Sequence, residues 1–276
     1  MQTISPQQAE KLIDALCDIT SRASAAILAI PLSHAEQRTK DDLSPVTAAD
    51  EAAEAVILDG LSHLCPGVPV VAEESVAQGR LPDLNGGSFF LVDPLDGTKE
   101  FIAGRDEYTV NIALISDGAP IAGVIAAPKQ GLLWRGVTGG AAERLRLAFP
   151  APAAQATERH AIHARPAPAQ LKVATSRSHL DSATQELMAR LPIGERYMCG
   201  SSVKFCHLAE GSADIYPRLS PTCEWDIAAG IAILTAAGGV AVAPDGDVLR
   251  FGNRGSKFLV PGFIAAGDAA SLPGRT

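Results

Sequence analysis

An apolar run over residues 88–92 leads directly into Asp93-Pro94-Leu95-Asp96-Gly97-Thr98, so any fold this chain adopts must place two carboxylates at the end of one strand. Asp93 closes the run, and Pro94 stiffens the turn by fixing its own backbone. Asp96 follows one turn later and faces the same region. Gly97 permits a close backbone approach, after which Thr98 offers a hydroxyl and an amide. Two carboxylates held this near each other repel unless cations lie between them. Asp, Pro and Gly also build ordinary surface turns, so taken alone the string leaves both readings open.

Three further acidic segments accompany it. Glu73 and Glu74 follow a short strand expected over residues 68–72. Asp50 lies in the first turn of a helix expected over 47–64, with Thr47 as its cap and Cys65-Pro66-Gly67 as its stop. Asp226 stands at the start of an apolar helix expected over 224–237. A set of hard oxygen ligands without supporting His or Cys favours Mg²⁺ over Zn²⁺. The free amides after Gly97 suit a phosphate if a helix begins there.

The remaining pattern places these segments. Leu12, Ala15, Leu16, Ile19, Ala23 and Ile27 recur at helical spacing, predicting a helix over 6–30 that Pro31 ends. Residues 108–135 read as consecutive strands joined by tight turns, one at Asp117-Gly118. Residues 148–170, rich in Ala and Pro, read as the least structured stretch and the boundary between two parts. Strands and helices then alternate: strands at 172–176, 213–217 and 240–244, helices at 181–191 and 201–210. That order predicts layered sheets covered by helices.

Composition narrows the function classes. The 276 residues carry a formal net charge of −8, which argues against a Lys/Arg surface for a long nucleic acid while leaving room for one nucleotide held by a few cations. Five cysteines at irregular spacing, with no CxxC pair, read as free thiols of a reducing compartment. No signal peptide or membrane-spanning run is evident. The expected location is the cytoplasm, with peripheral inner-membrane association compatible.

Taken together, SPVTAAD (44–50), Glu73-Glu74, LVDPLDGTKEF (91–101), YTVNIAL (108–114), SRSH (176–179), GSSVKFC (200–206), IYPR (215–218) and WDIAAG (225–230) resemble the inositol monophosphatase-like family of lithium-sensitive, Mg²⁺-dependent phosphatases. TKEF, where inositol phosphatases tend to show TxNF, resembles in particular the family's bacterial bisphosphate nucleotidases, as do SRSH and GSSVKFC. The resemblance implies that Glu73, Asp93, Asp96 and Asp226 hold metal through side chains and Leu95 through its carbonyl. It implies that Asp50, Glu73 and Thr98 serve catalysis, with Gly97 and Thr98 amides on phosphate oxygens. For the nucleotide it implies contacts from His179, Ser201, Lys204, Arg218 and Asp226. Read from residue chemistry alone, Ser201 is equally a helix cap, Lys204 and Arg218 equally solvated surface charges, and Glu74 either a support for the ligands or exposed.

The implied fold is α+β, a layered α/β sandwich of the inositol monophosphatase and fructose-1,6-bisphosphatase type. Residues 1–165 would form a metal-binding part and 166–276 a part that completes the site. The implied reaction, with two or three Mg²⁺ ions per site, is hydrolysis of the 3'-phosphate of adenosine 3',5'-bisphosphate, with 3'-phosphoadenylyl sulfate as a related substrate. The alternatives are an inositol- or sugar-phosphate phosphatase with the same metal core, and a non-catalytic nucleotide-binding protein. The partner expected is this small nucleotide, not a nucleic-acid polymer, and the assembly a monomer or homodimer.

Overall fold

The computed structural model describes residues 3–31, 38–39, 45–84, 86–177, 180–253, 255 and 257–274. Its first helix, α1 (Pro6–Leu28), starts where Ser5 accepts from the Gln8 amide while the Gln8 side chain accepts from the Ser5 amide, with Pro6 in the first turn. It ends two residues before the expected Ile30. A two-residue pair follows, β1 (Arg38–Thr39) with β2 (Pro45–Val46). Helix α2 (Ala48–Leu64) begins at the Thr47 cap, as the sequence predicts.

Strands β3 (Val70–Ala72), β4 (Phe89–Asp96), β5 (Thr109–Ser116), β6 (Ala119–Ala127), β7 (Leu132–Val137), β8 (Ala142–Arg146) and β9 (Glu158–Ala161) form one seven-stranded sheet in chain order. Only β3 and β4 run parallel; each later neighbour is antiparallel. Two short helices, α3 (Glu73–Ala77) and α4 (Thr98–Ile102), grow from the ends of β3 and β4. Strand β4 runs further than the expected 88–92. It bulges between Asp93 and Asp96 and then pairs again, Asp96 opposite Thr109. A bulge is where a sheet tolerates proline and redirects side chains.

The second sheet joins β10 (Leu171–Ser176), β11 (Ile193–Cys199), β12 (Ile215–Arg218), β14 (Val240–Val242) and β16 (Phe263–Ala266) in the order β11-β10-β12-β16-β14. Between those strands come α5 (Ser182–Met188), α6 (Val203–Ala209), and a small pair, β13 (Thr222–Cys223) with β15 (Leu259–Val260), flanking α7 (Glu224–Ala236).

Period-two alternation sorts the first sheet into two faces. Phe90, Val92, Val110, Ile112 and Leu114 pack with α1 and α2, while Phe89, Leu91, Ala113 and Ile115 pack with residues of α6 and α7. A third apolar cluster, with Leu171, Val173, Ile215 and Ile264, lies toward α5 and Met188. The layers are therefore α1 and α2, first sheet, α6 and α7, second sheet, α5. Helix α7 is buried on nearly every side, ten of its thirteen residues, as an all-round apolar helix must be. It lies so near β6 that a Cβ on Gly123 would stand 2.3 Å from the Ala229 carbonyl oxygen. Only glycine admits that approach.

Residues 148–170 are more ordered than their composition predicts. They contain β9, which pairs with β8 through Glu143 to Arg146. All four β9 residues are exposed, so the strand lacks the alternating apolar signal that marks half-buried strands. Arg146 pairs with Glu158 and Arg159 with Glu143 across this edge.

Candidate active site

A cleft of about 250 Å³ opens where the bulge of β4 meets the N-termini of α6 and α7. Glu73, Asp93, Leu95, Asp96, Gly97, Thr98, Ser201, Lys204, Arg218 and Asp226 all line it. The two sheets thus bring together residues up to 153 positions apart. Asp50 lies just behind this lining, 2% exposed. His179 lies outside the described residues.

Alternation along β4 turns Asp93 to the same face as Leu91, toward α6 and α7. Its Oδ1 accepts from the Leu95 amide at 3.0 Å, tightening the turn. Gly97 adopts φ +97°, a left-handed conformation that glycine reaches without strain, and a Cβ there would lie 3.1 Å from the Glu107 carbonyl oxygen. The chain then enters α4 at Thr98.

Asp50 and Thr98 form a hydrogen-bonded dyad at the edge of the site. Asp50 Oδ2 accepts from the Thr47 amide at 2.8 Å and from its hydroxyl at 2.7 Å, which completes the cap of α2. That leaves Oδ1 to accept from Thr98 Oγ1 at 3.1 Å. The same hydroxyl lies 3.3 Å from the Leu95 carbonyl oxygen. A hydroxyl that gives its proton to a fixed carboxylate keeps lone pairs free to receive one.

Glu73 begins α3. The amide of Glu74 and the hydroxyl of Ser75 donate to Glu54, at 2.9 Å and 2.7 Å. Glu54 stands one helical turn after Asp50, so two carboxylates on one face of α2 position both the Thr98 hydroxyl and the start of α3. Glu74 itself is buried, 4% exposed, which removes the reading of a surface side chain.

Asp226 caps α7. Its Oδ2 accepts from the Cys223 amide at 3.1 Å and from the Thr222 hydroxyl. Burial, then the charges of Asp96 and Glu73, push its carboxyl up to about 7, against the opposing pull of Thr222 and Arg218. The three carboxylates therefore feel one another across the cleft. Among the described residues no three His, Cys, Asp or Glu groups converge into a ready-made cation nest; the carboxylates ring an open volume instead. All-oxygen donors with excess negative charge fit a hard divalent cation such as Mg²⁺.

Ser202 was not anticipated from the sequence. Its hydroxyl lies 2.6 Å from Asp96 Oδ2 and 2.6 Å from the Asp226 carbonyl oxygen, and it accepts from Asn111 Nδ2 at 3.0 Å. It thereby joins β4, β5 and α7. The reading of Ser201 as the helix cap holds only in part: its Oγ accepts from the Val203 amide at the start of α6, at 3.5 Å. Helix α6 starts two residues later, with Ser202 at the cap position and no side-chain cap bond. Ser201 is itself a strained non-glycine residue at φ +45°.

Lys204 is no solvated surface charge. It is 3% exposed, and its ammonium donates to the carbonyls of Ser201 at 2.5 Å and Cys199 at 3.3 Å. It also sits 5.1 Å from the centre of the Tyr216 ring. Lys204 thus fastens the strained Ser201 turn as well as lining the cleft. Arg218 donates from one guanidinium nitrogen to the Pro221 carbonyl at 2.9 Å. Its Nε is buried with no partner among the described residues, a donor without an acceptor in the cleft wall.

The comparisons extend the likeness beyond the motifs. The model of the inositol monophosphatase family matches residues 8–272. The chain is 41% identical over 254 residues to the 3'(2'),5'-bisphosphate nucleotidase CysQ of Escherichia coli (strain K12), covering 91% of this chain and 98% of that protein. The solved structure of CysQ from Bacteroides thetaiotaomicron, described as a bacterial member of the inositol monophosphatase family, is 34% identical, covers 92% of this chain and 96% of its own, and has a TM-score of 0.73. Inositol monophosphatase from Anabaena (Nostoc) sp. has the same TM-score at 25% identity, covering 95% and 93%. The layered α/β arrangement is shared, and this chain belongs to the inositol monophosphatase family.

Proposed function

We infer that this chain is a metal-dependent 3'(2'),5'-bisphosphate nucleotidase that releases the 3'-phosphate of adenosine 3',5'-bisphosphate, giving AMP and phosphate, with 3'-phosphoadenylyl sulfate as a second substrate. The observation that carries the reading is one cleft lined both by the carboxylates Glu73, Asp93, Asp96 and Asp226 and by Arg218, whose buried Nε has no partner among the described residues. A ligand with two phosphates uses both the cation-holding carboxylates and the guanidinium. Relatives bearing that activity in their names, at 41% and 36% identity over 91% and 93% of this chain, support the same choice.

Mg²⁺, when bound by Glu73, Asp93, Asp96, Asp226 and the Leu95 carbonyl, supplies an activated water and neutralises charge on the phosphoryl group. The protein's own groups do the rest. Thr98 would accept a proton from the attacking water as its own hydroxyl proton passes to Asp50, the carboxylate it donates to. The Gly97 and Thr98 amides hold phosphate oxygens at the start of α4, and Arg218 meets the phosphate that stays. Ser201 and His179 are assigned to the nucleoside, and Lys204 to the charge of the second phosphate through the turn it fastens. We place residues 1–165 and 166–276 as the two parts that share the site. The location proposed is the cytoplasm, the described residues including no helix long and apolar enough to cross a membrane. The assembly proposed is a monomer or homodimer.

An inositol-phosphate phosphatase is the second reading, favoured by the engagement of Lys204 with two carbonyls, which leaves Arg218 as the main anchor for a second anion. Phosphate release from adenosine 3',5'-bisphosphate and from inositol 1-phosphate, measured side by side with Mg²⁺, separates them. A higher kcat/KM on the bisphosphate is expected; the reverse order overturns the nucleotidase reading.

A further inference from the structure

Glu100 belongs to the TKEF segment, yet none of the roles above uses it. It is the third residue of α4, only 6% exposed, and it lines the cleft. Among the described residues its carboxylate takes part in no hydrogen bond or ion pair. It lies wedged between two backbones. Its Oε2 is 3.4 Å from where a Cβ on Gly97 would stand, and its Cγ is 2.9 Å from where a Cβ on Gly200 would stand.

A largely buried carboxylate that faces the cleft, with no partner among the described residues, is placed to accept from a donor that enters there. The donor is not the phosphate, because two anions repel. Nor is it Lys204, whose ammonium is held by the carbonyls of Ser201 and Cys199. A neutral hydroxyl on the alcohol that carries the phosphate is such a donor, and unlike Lys99 and Arg218, which also line the cleft, it arrives only with the substrate. Because Glu100 borders Gly97, whose amide is assigned to a phosphate oxygen, that hydroxyl is the one adjacent to the scissile ester.

We propose that Glu100 is a specificity-determining residue that accepts a hydrogen bond from the hydroxyl next to the hydrolysed phosphate, which in a 3'-phosphorylated nucleotide is the ribose 2'-hydroxyl. This rests on the nucleotidase reading. A hydrogen bond to a charged acceptor corresponds to about tenfold or more in binding. The wild-type enzyme should therefore favour adenosine 3',5'-bisphosphate over its 2'-deoxy analogue by about that factor in kcat/KM.

The test measures both substrates at saturating Mg²⁺ with wild type, Glu100→Ala and the isosteric Glu100→Gln. In Glu100→Ala the preference should shrink to below about twofold through loss on the ribonucleotide alone. Glu100→Gln, which keeps the shape and a weaker acceptor, should fall between; it decides the matter if the alanine variant does not fold. Three results overturn the proposal: a preference unchanged in both variants, equal losses on both substrates, or no preference in the wild type. The outcomes also separate the two readings. Wild-type protein that hydrolyses inositol 1-phosphate but neither nucleotide overturns the substrate and Glu100's contact with it, whereas good nucleotide turnover with an unaltered ratio overturns only the Glu100 contact.

Discussion

Thr98 Oγ1 donates to Asp50 Oδ1 at 3.1 Å, a hydrogen bond between residues 48 positions apart. Both belong to helix starts, Asp50 within the first turn of α2 and Thr98 at the head of α4. The contact therefore couples a helix on one face of the first sheet to the turn that ends β4. If the pair works as a unit, Asp50→Asn and Thr98→Ala should each lower kcat by about 10² or more, and the double variant should lose little beyond either single one. Strictly multiplicative losses would assign the two side chains separate tasks.

Asp96→Asn and Asp226→Asn each remove a charge from the ring of carboxylates. Turnover should fall by several orders of magnitude while circular dichroism and Tm show an intact fold, because a neutral amide is a weaker ligand for a hard cation. A loss below about tenfold at either position would take that residue out of the metal-holding set.

Ser202 touches Asp96 and the Asp226 backbone without being a candidate ligand itself. Supports of this kind orient the groups that hold a metal, and their loss costs about 10–100-fold in metal affinity or activity. Ser202→Ala should raise the Mg²⁺ concentration for half-maximal activity by that factor. Cation binding followed by calorimetry gives a readout independent of turnover.

The raised pKa of Asp226, about 7 against 3.8 for the free side chain, makes stability depend on pH in a definite direction. Below about pH 4 the group is protonated in both folded and unfolded chains and nothing is lost. Between about 4 and 7 the unfolded chain gives up its proton first, which favours unfolding, and above 7 the loss is complete. In chelator, Tm should therefore fall as pH rises from about 5 to 7.5 through this group. Asp226→Asn should flatten that slope, and Mg²⁺ should oppose it. A chelated Tm that is equally steep in the variant assigns the slope to other groups.

Gly123 sits where β6 meets α7, with 2.3 Å from a would-be Cβ to the Ala229 carbonyl oxygen. Gly123→Ala should destabilise by about 1–3 kcal/mol or more, since backbone atoms on both sides resist the displacement. Thermal melts against wild type read it directly. An unchanged Tm would show that α7 slides freely on the sheet.

Legibility in the sequence followed the physics of each segment. Helix α2 was readable because Thr47 and Asp50 cap it within four residues of sequence, a purely local signal. The aspartates of residues 93–96 were readable for the same reason, though the bulge that lets β4 resume pairing at Asp96 depends on β5 and was not. Strand β9 was missed because all its side chains are exposed, and β11, with four of its seven residues exposed, offers an equally faint pattern. Ser202 was passed over for its neighbour Ser201, since a sequence does not say which of two serines heads α6 when the turn before it takes φ +45°. Helical spacing could have disclosed Glu54, four positions after Asp50, but its partners at Glu74 and Ser75 come from a different element.

Helix α7 packs against strands β4 to β7 of the first sheet although it is made about a hundred residues after most of them. Its N-terminal Asp226 is the last of the candidate ligands to leave the ribosome. Until that helix docks, the earlier carboxylates face a cleft that lacks one wall. In refolding experiments the return of turnover should therefore coincide with burial of α7 rather than with formation of the first sheet.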